Sequence, residues 1–132
     1  MRSSAARTED LPAPDELGLT LRRSVGAWTR FTALRGDETL GFLELDTDLT
    51  EGGRLAAFAR WADVGNLWVE EQHRRTGVGS WLLGQGAEWL RLAGIRHLVA
   101  YAWPEQEERL AFYAATGFRE LVTTERGWVR TS

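Results

Sequence analysis

The stretch Asp63–Gly94, DVGNLWVEEQHRRTGVGSWLLGQGAEWLRLAG, changes its periodicity partway along, and that change decides the fold. Asp63–Val69 is short, apolar and β-prone, which reads as a largely buried strand. From Gly77 to Ala93 the spacing becomes helical: Val78, Leu82, Leu83, Ala87, Leu90 and Ala93 fall on one stripe, and Gly94 supplies a stop. Between them lies His73-Arg74-Arg75-Thr76-Gly77-Val78-Gly79-Ser80. A helix start presents unpaired N–H groups and partial positive charge, so it attracts anions. Gly77 and Gly79 remove the Cβ atoms that would hold an anion away from those amides, while Arg74 and Arg75 add bidentate donors. The loop reads as an anion site suited to a pyrophosphate; a tight turn with two solvated arginines is the alternative.

Outward from this core, His97–Trp103 reads as a second buried strand ended by Pro104. Glu105–Thr116 reads as a short helix with carboxylates in its first turn, stopping at Gly117. Phe118–Arg130 gives one or two closing strands. On the N-terminal side, Ala27–Leu34 and Thr39–Leu45 flank Arg35-Gly36-Asp37-Glu38 as an antiparallel hairpin. Leu17–Val25 fits a strand, although Leu17, Leu21 and Val25 also share helical spacing. Asp46–Arg54 reads as a polar loop, and Leu55–Ala62 as a helical turn or an approach to the next strand. Residues 1–16, polar and carrying Pro12 and Pro14, read as a flexible tail preceding a single domain over 17–132.

Composition narrows the chemistry. At 132 residues with 43% hydrophobic and 27% charged side chains, the chain is an ordinary one-domain length with enough apolar material for a core. It contains no cysteine, which excludes a disulfide framework, a thiol nucleophile and thiolate metal sites. Two histidines without metal-ligand spacing argue against a zinc site. All 16 basic residues are arginine, so the loop is not a Walker motif, which needs lysine. The dinucleotide fingerprint GxGxxG is also missing. A net charge of −3 speaks against a nucleic-acid binder. No segment approaches a membrane span, and the N-terminus lacks an apolar signal core, so a cytoplasmic protein is expected.

Arg74-x-x-Gly77-x-Gly79, preceded by Leu67-Trp68-Val69, resembles the R/Q-x-x-G-x-G/A signature and L-x-V strand of the GNAT family of N-acetyltransferases. Trp89–Leu98 resembles that family's helix-to-strand passage. Phe112-Tyr113-Ala114-Ala115-Thr116-Gly117-Phe118 is similar to its F-Y-x-x-x-G-F closing motif. The resemblance implies an α/β (α+β) fold with a mixed, mostly antiparallel central sheet, two splayed parallel strands and flanking helices. It also implies acetyl-CoA as cofactor and a primary amine, on a small molecule or a peptide or protein, as acceptor. The pantetheine arm would enter between the two splayed strands, and acetyl transfer would proceed by direct attack.

Residue by residue, the resemblance places the pyrophosphate on Arg74, Arg75, Thr76, Gly77, Val78, Gly79 and Ser80. It lays the thioester along Leu67, Trp68 and Val69, with a backbone N–H near Val69 as the oxyanion donor. Tyr113 stands at the general-acid position, where a phenol protonates the departing thiolate. Asp63, eleven residues before Arg74, matches the place of a catalytic glutamate but is one methylene shorter, so a relaying water is needed; Glu44 competes with it as base. Gln106 stands where relatives carry a CoA-contacting Asn, and Glu71 where a proline is frequent. His73 reads as a solvated loop residue and His97 as structural. Trp28, Trp61, Trp68 and Trp103 are candidates for an acceptor wall, with core packing as the other reading. Trp81 and Trp89 lie off the helix stripe and hint at an extra buried face or a subunit contact.

The two helices that usually stand between the family's first strand and hairpin are reduced or absent here. That leaves an open acceptor groove, one completed by a second subunit in a homodimer, or half of a double-domain enzyme. An alternative function is a CoA-binding or interaction module that keeps the fold without catalysis, for which Glu71, Gln106 and the uncertain base argue.

Overall fold

The computed structural model describes residues 1–47 and 61–121. Their strands are β1 (Arg2–Arg7), β2 (Thr20–Val25), β3 (Thr29–Arg35), β4 (Glu38–Asp46), β5 (Trp61–Val69), β6 (His97–Ala102) and β7 (Arg119–Glu120). The helices are α1 (Val78–Leu92) and α2 (Glu107–Thr116), with short 3-10 turns at Thr8–Asp10 and Glu71–His73. The described strands form one sheet in the order β2-β3-β4-β5-β6-β1-β7. All neighbours are antiparallel except β5 and β6. The expected mixed sheet, hairpin, two core strands and long helix are all present. The expected loop and approach over residues 46–60 lie largely outside the described residues, as does most of the closing segment after Leu121.

α1 packs on the inner face of β3, β4 and β5, where Phe31, Leu43, Leu45, Val64 and Leu67 meet Val78, Leu82, Leu83, Ala87 and Leu90. Two glycines let the helix close in. A Cβ on Gly86 would lie 2.8 Å from Leu43 Cδ2, and one on Gly84 would lie 2.8 Å from the Pro12 carbonyl oxygen. Trp81 is buried in this core, and Trp89 packs edge-on against Phe31 at 5.6 Å with the Arg23 guanidinium over its ring. Both tryptophans off the stripe thus serve packing within the chain.

The expectation of a flexible tail over residues 1–16 is corrected. Arg2–Arg7 pairs with β6 along its whole length, and Ser4 and Ala5 also pair with β7. Ala6, Thr8 and Leu11 are buried; the Thr8 hydroxyl donates to the Ile95 and Arg96 carbonyls, and Arg91 donates to the Thr8 carbonyl. The strand carries serine and alanine with almost no apolar alternation, so its ordering comes from backbone pairing that a local pattern does not reveal. From Leu11 the chain crosses the outer face of α1 at Gly84, and Leu17 reaches to within 3.9 Å of a Cβ built on Gly77. Gly84→Leu is therefore expected to destabilise the fold by about 1–3 kcal/mol, because the crossing backbone cannot retreat as a flexible side chain could. Urea unfolding of the purified variant measures this.

Candidate active site: the splay between β5 and β6

β5 and β6 pair only at Trp61–His97, Ala62–Leu98 and Asp63–Val99, then separate. Beyond that point each strand keeps its extended backbone, so the sheet opens into a wedge. The register between β4 and β5 also shifts, with Glu44 opposite Asn66 but Leu45 opposite Val64. Gly65 is the extra residue of this bulge, and it is glycine for a reason. The Trp28 ring lies against it so closely that a Cβ would sit 2.1 Å from a ring carbon.

The bulge sets which backbone groups face the wedge. Glu70 N–H donates to the Leu40 carbonyl, and Trp68 stands opposite Phe42 on β4. By strand alternation, Leu67 and Val69 turn their N–H and C=O groups away from β4, toward β6. The Val69 carbonyl accordingly accepts the Arg74 Nε–H at 3.0 Å. Of the three residues expected along the thioester, Leu67 and Val69 present backbone to the wedge. Trp68 commits its backbone to the β4 ladder and stacks its ring on Phe42 at 5.6 Å.

At the open end of β5 the chain turns through Glu71–His73 into the start of α1. Gly77 is the N-cap residue at φ +91°, no side chain caps the helix, and its first turn holds no carboxylate. The N–H groups that a Ser or Asp would normally satisfy therefore stay open to an external anion. Phe112 of α2 stands over this start, because a Cβ on Gly79 would lie 3.2 Å from its ring. The loop is held from three sides. Arg74 donates to Val69, Arg75 pairs with Glu108 of α2 at 2.6 Å, and the His73 ring meets Glu38, the first residue of β4, at 3.0 Å. His73, expected to be solvated, is mostly covered and tied to Glu38. These features fit a pyrophosphate between α1 and the two arginines.

A cleft of about 200 Å³ occupies the wedge, lined by Val64–Leu67, Tyr101, Trp103, Gln106, Arg109 and Tyr113. Tyr113 is buried to 2% exposure against Phe112 and Phe118. Burial raises its phenol pKa, and the hydrogen bond and charge of Arg109 only partly oppose this, so it stays protonated at neutral pH. Gln106 also lines the cleft, but its side-chain oxygen accepts the Trp103 N–H at 2.7 Å, which gives it a local structural task. Glu71 sits in the 3-10 turn, where its carbonyl accepts the Arg74 N–H.

The two candidate bases have opposite surroundings. For Glu44, burial alone would raise the pKa, but hydrogen bonds from Asn66 and Arg30 together with the Arg30 charge outweigh it and lower the value. Arg30 contacts Glu44 Oε2 through Nε and a terminal nitrogen, and Asn66 occupies Oε1 at 2.8 Å. Such a carboxylate is fully employed and a poor proton acceptor. Asp63 is the reverse: burial first, then the facing charge of Asp46, raise its pKa, and a hydrogen bond with Tyr101 only moderates the rise. Asp63 stands in the last rung before β5 and β6 part, directly opposite Asp46 on β4.

Two members of the site escaped the sequence reading. Tyr101 and Arg109 belong to no motif, and only the alternation of β6 and the helical spacing of Arg109 before Tyr113 place them. Of the remaining aromatics, His97 stacks on Trp61 at 4.5 Å, and its buried Nδ1 has no hydrogen-bond partner among the described residues. Trp28 and Trp103 are partly exposed beside the wedge.

The sequence profile of the acetyltransferase (GNAT) family matches residues 3–118. No curated protein sequence matches the chain. Among solved structures, the chain resembles an aminoglycoside acetyltransferase from an uncultured soil metagenomic sample, in complex with trehalose, at 19% identity and TM-score 0.58. That match covers 70% of this chain and 59% of that one, so the chain spans less than two-thirds of that relative's length. It also resembles a protein provisionally assigned as a streptothricin acetyltransferase, from Bacillus anthracis str. Ames, in complex with acetyl coenzyme A, at 16% identity and TM-score 0.58, over 89% and 84% of the two chains. A second aminoglycoside acetyltransferase from an uncultured soil metagenomic sample matches at 22% identity and TM-score 0.60, over 83% and 69%. These likenesses speak to the fold. With the profile covering nearly all of the described residues and the sheet splayed beside an uncapped helix start, the chain belongs to the GNAT family of acetyltransferases.

Proposed function

We propose that this protein transfers an acetyl group from acetyl-CoA to the primary amine of a small molecule by direct attack. One observation carries the reading: the β5–β6 wedge opens between an uncapped, carboxylate-free helix start and a buried, protonated tyrosine. When bound, acetyl-CoA supplies the acetyl group as a thioester and leaves as the thiol. The α1 amides with Arg74 and Arg75 hold the pyrophosphate, and an N–H of Leu67 or Val69 polarises the carbonyl. Asp63 takes the proton of the attacking ammonium, and Tyr113 supplies one to the departing sulfur.

Charge beside the cleft supports an amine, although the one charged side chain lining the cleft itself is Arg109. Asp46 and Asp63 face each other at the head of the wedge, in a chain with net charge −3, which favours a cation over an anion. Two of the structural relatives are named as aminoglycoside acetyltransferases, which fits the same class. The test is amine-dependent thiol release from acetyl-CoA by the purified protein over a panel of alkylamines, polyamines and amino sugars. Release that saturates with one amine and yields its acetylated product is the expected result. CoA binding without release across the whole panel would assign the chain to a non-catalytic binding module instead.

A further inference from the structure

Asp63, the carboxylate best tuned as a base, is not among the residues that line the cleft. Tyr101 is, and it lies between the two. It follows Val99, the rung partner of Asp63, by two residues on the same face of β6. Leu98, Ala100 and Ala102 are buried on the other face, whereas Tyr101 is 43% exposed. Its side chain lies on the same face as Asp63, close enough that each group shifts the other's pKa. Resting on the acetyl-transfer reading above, we propose that the Tyr101 hydroxyl is a catalytic proton relay between the acceptor amine in the cleft and Asp63.

The step balances. The acceptor ammonium gives one N–H proton to the Tyr101 oxygen, while the Tyr101 O–H proton moves to an oxygen of the neighbouring Asp63 carboxylate. The amine becomes neutral with a free lone pair, the phenol is regenerated, and Asp63 becomes a carboxylic acid. Anionic tyrosinate never accumulates, and this matters because burial and the neighbouring Asp63 charge and hydrogen bond all raise the Tyr101 pKa. Among the described residues, the groups on this face around Asp63 are Asp46 and Glu44 on β4, the latter held by Arg30 of β3 and Asn66 of β5, and Tyr101 and His97 on β6, with His97 stacked on Trp61. Asp46 holds the negative charge that makes Asp63 willing to receive the proton. The relay also replaces the water that the short aspartate side chain otherwise requires.

The experiment compares ethylamine, protonated at neutral pH, with 2,2,2-trifluoroethylamine, whose ammonium is acidic enough to present a neutral amine there. Tyr101→Phe is expected to lower kcat/KM for ethylamine by at least about tenfold. The acid limb of its pH profile should move up toward the amine's own pKa. The deficit should close with trifluoroethylamine, which has no proton to shed, and acetyl-CoA affinity should hold. Asp63→Asn should show the same amine dependence, and the double variant should be little worse than Asp63→Asn alone. An equal loss on both amines, or no loss on ethylamine, overturns the relay. Absence of thiol release by the wild-type protein with either amine, or with any other on the panel, overturns the acetyl-transfer reading beneath it.

Discussion

Asp63→Asn is expected to reduce acetyl transfer to a protonated primary amine by about 100-fold or more at neutral pH, the usual scale for losing a positioned general base. The substitution keeps size and hydrogen-bonding capacity, so the Tyr101 contact and the ladder to Val99 persist and the loss reports on proton transfer. The pH profile gives a second reading. Burial and the Asp46 charge raise the Asp63 pKa, so wild-type kcat/KM should climb with pH through a limb above the ordinary aspartate value of about 3.9. Removing the facing charge with Asp46→Asn should move that limb to lower pH. Glu44→Gln should behave quite differently. It breaks a surface-type pair with Arg30, costs about 0.5–1 kcal/mol of stability, and leaves the position of the acid limb alone. An Asp63→Asn enzyme that keeps full rate and the same limb would return the base to another group.

Tyr113→Phe carries the second large effect. The side chain is buried between Phe112 and Phe118, and removing only the hydroxyl preserves that packing, so the variant should fold normally. A phenol whose pKa is raised by burial is protonated across the neutral range and can donate to a departing thiolate. Its loss should lower kcat by about tenfold to 100-fold, with acetyl-CoA affinity nearly unchanged. Full turnover by Tyr113→Phe would show that the thiolate leaves without a tyrosine proton, and the buried hydroxyl would then be a packing feature held by Arg109.

The segments that could be read in the sequence share one property: their signals are local. The switch from strand to helical period around Gly77 located β5 and α1, and Gly94 and Gly117 ended the helices at φ +82° and +116°. The Arg–Gly loop and the F-Y-x-x-x-G-F segment point to the proposed anion seat and to Tyr113 for the same reason. β1 was invisible because Ser3, Ser4, Ala5 and Ala6 carry no alternation, and it is ordered by partners more than ninety residues away at Leu98–Tyr101. The choice between Asp63 and Glu44 could not be made locally either. It depends on Arg30 and Asn66 reaching Glu44 across strands, and on Asp46 falling opposite Asp63 by register. Tyr101 was missed for a related reason, since only the parallel pairing of β6 with β5 brings it to Asp63.

Between β2 and β3, whose connecting residues are all described, no helix intervenes. β2 runs directly into β3, and the Trp28 ring between them lies on the β5 bulge. The N-terminal segment runs instead from β1 across α1, toward the loop that begins that helix.

The wedge and the start of α1 together are the proposed acetyl-CoA seat. Calorimetric titration of acetyl-CoA into the purified protein and into Gly79→Asp tests it most directly. The substitution puts a carboxylate at an uncapped, acid-free helix start and crowds Phe112, while its fold can be verified by circular dichroism. A saturable exothermic titration for the wild type, with affinity reduced at least about tenfold in a folded Gly79→Asp, is the predicted result. No heat from the wild type at millimolar acetyl-CoA, or equal affinity in the two proteins, would contradict it.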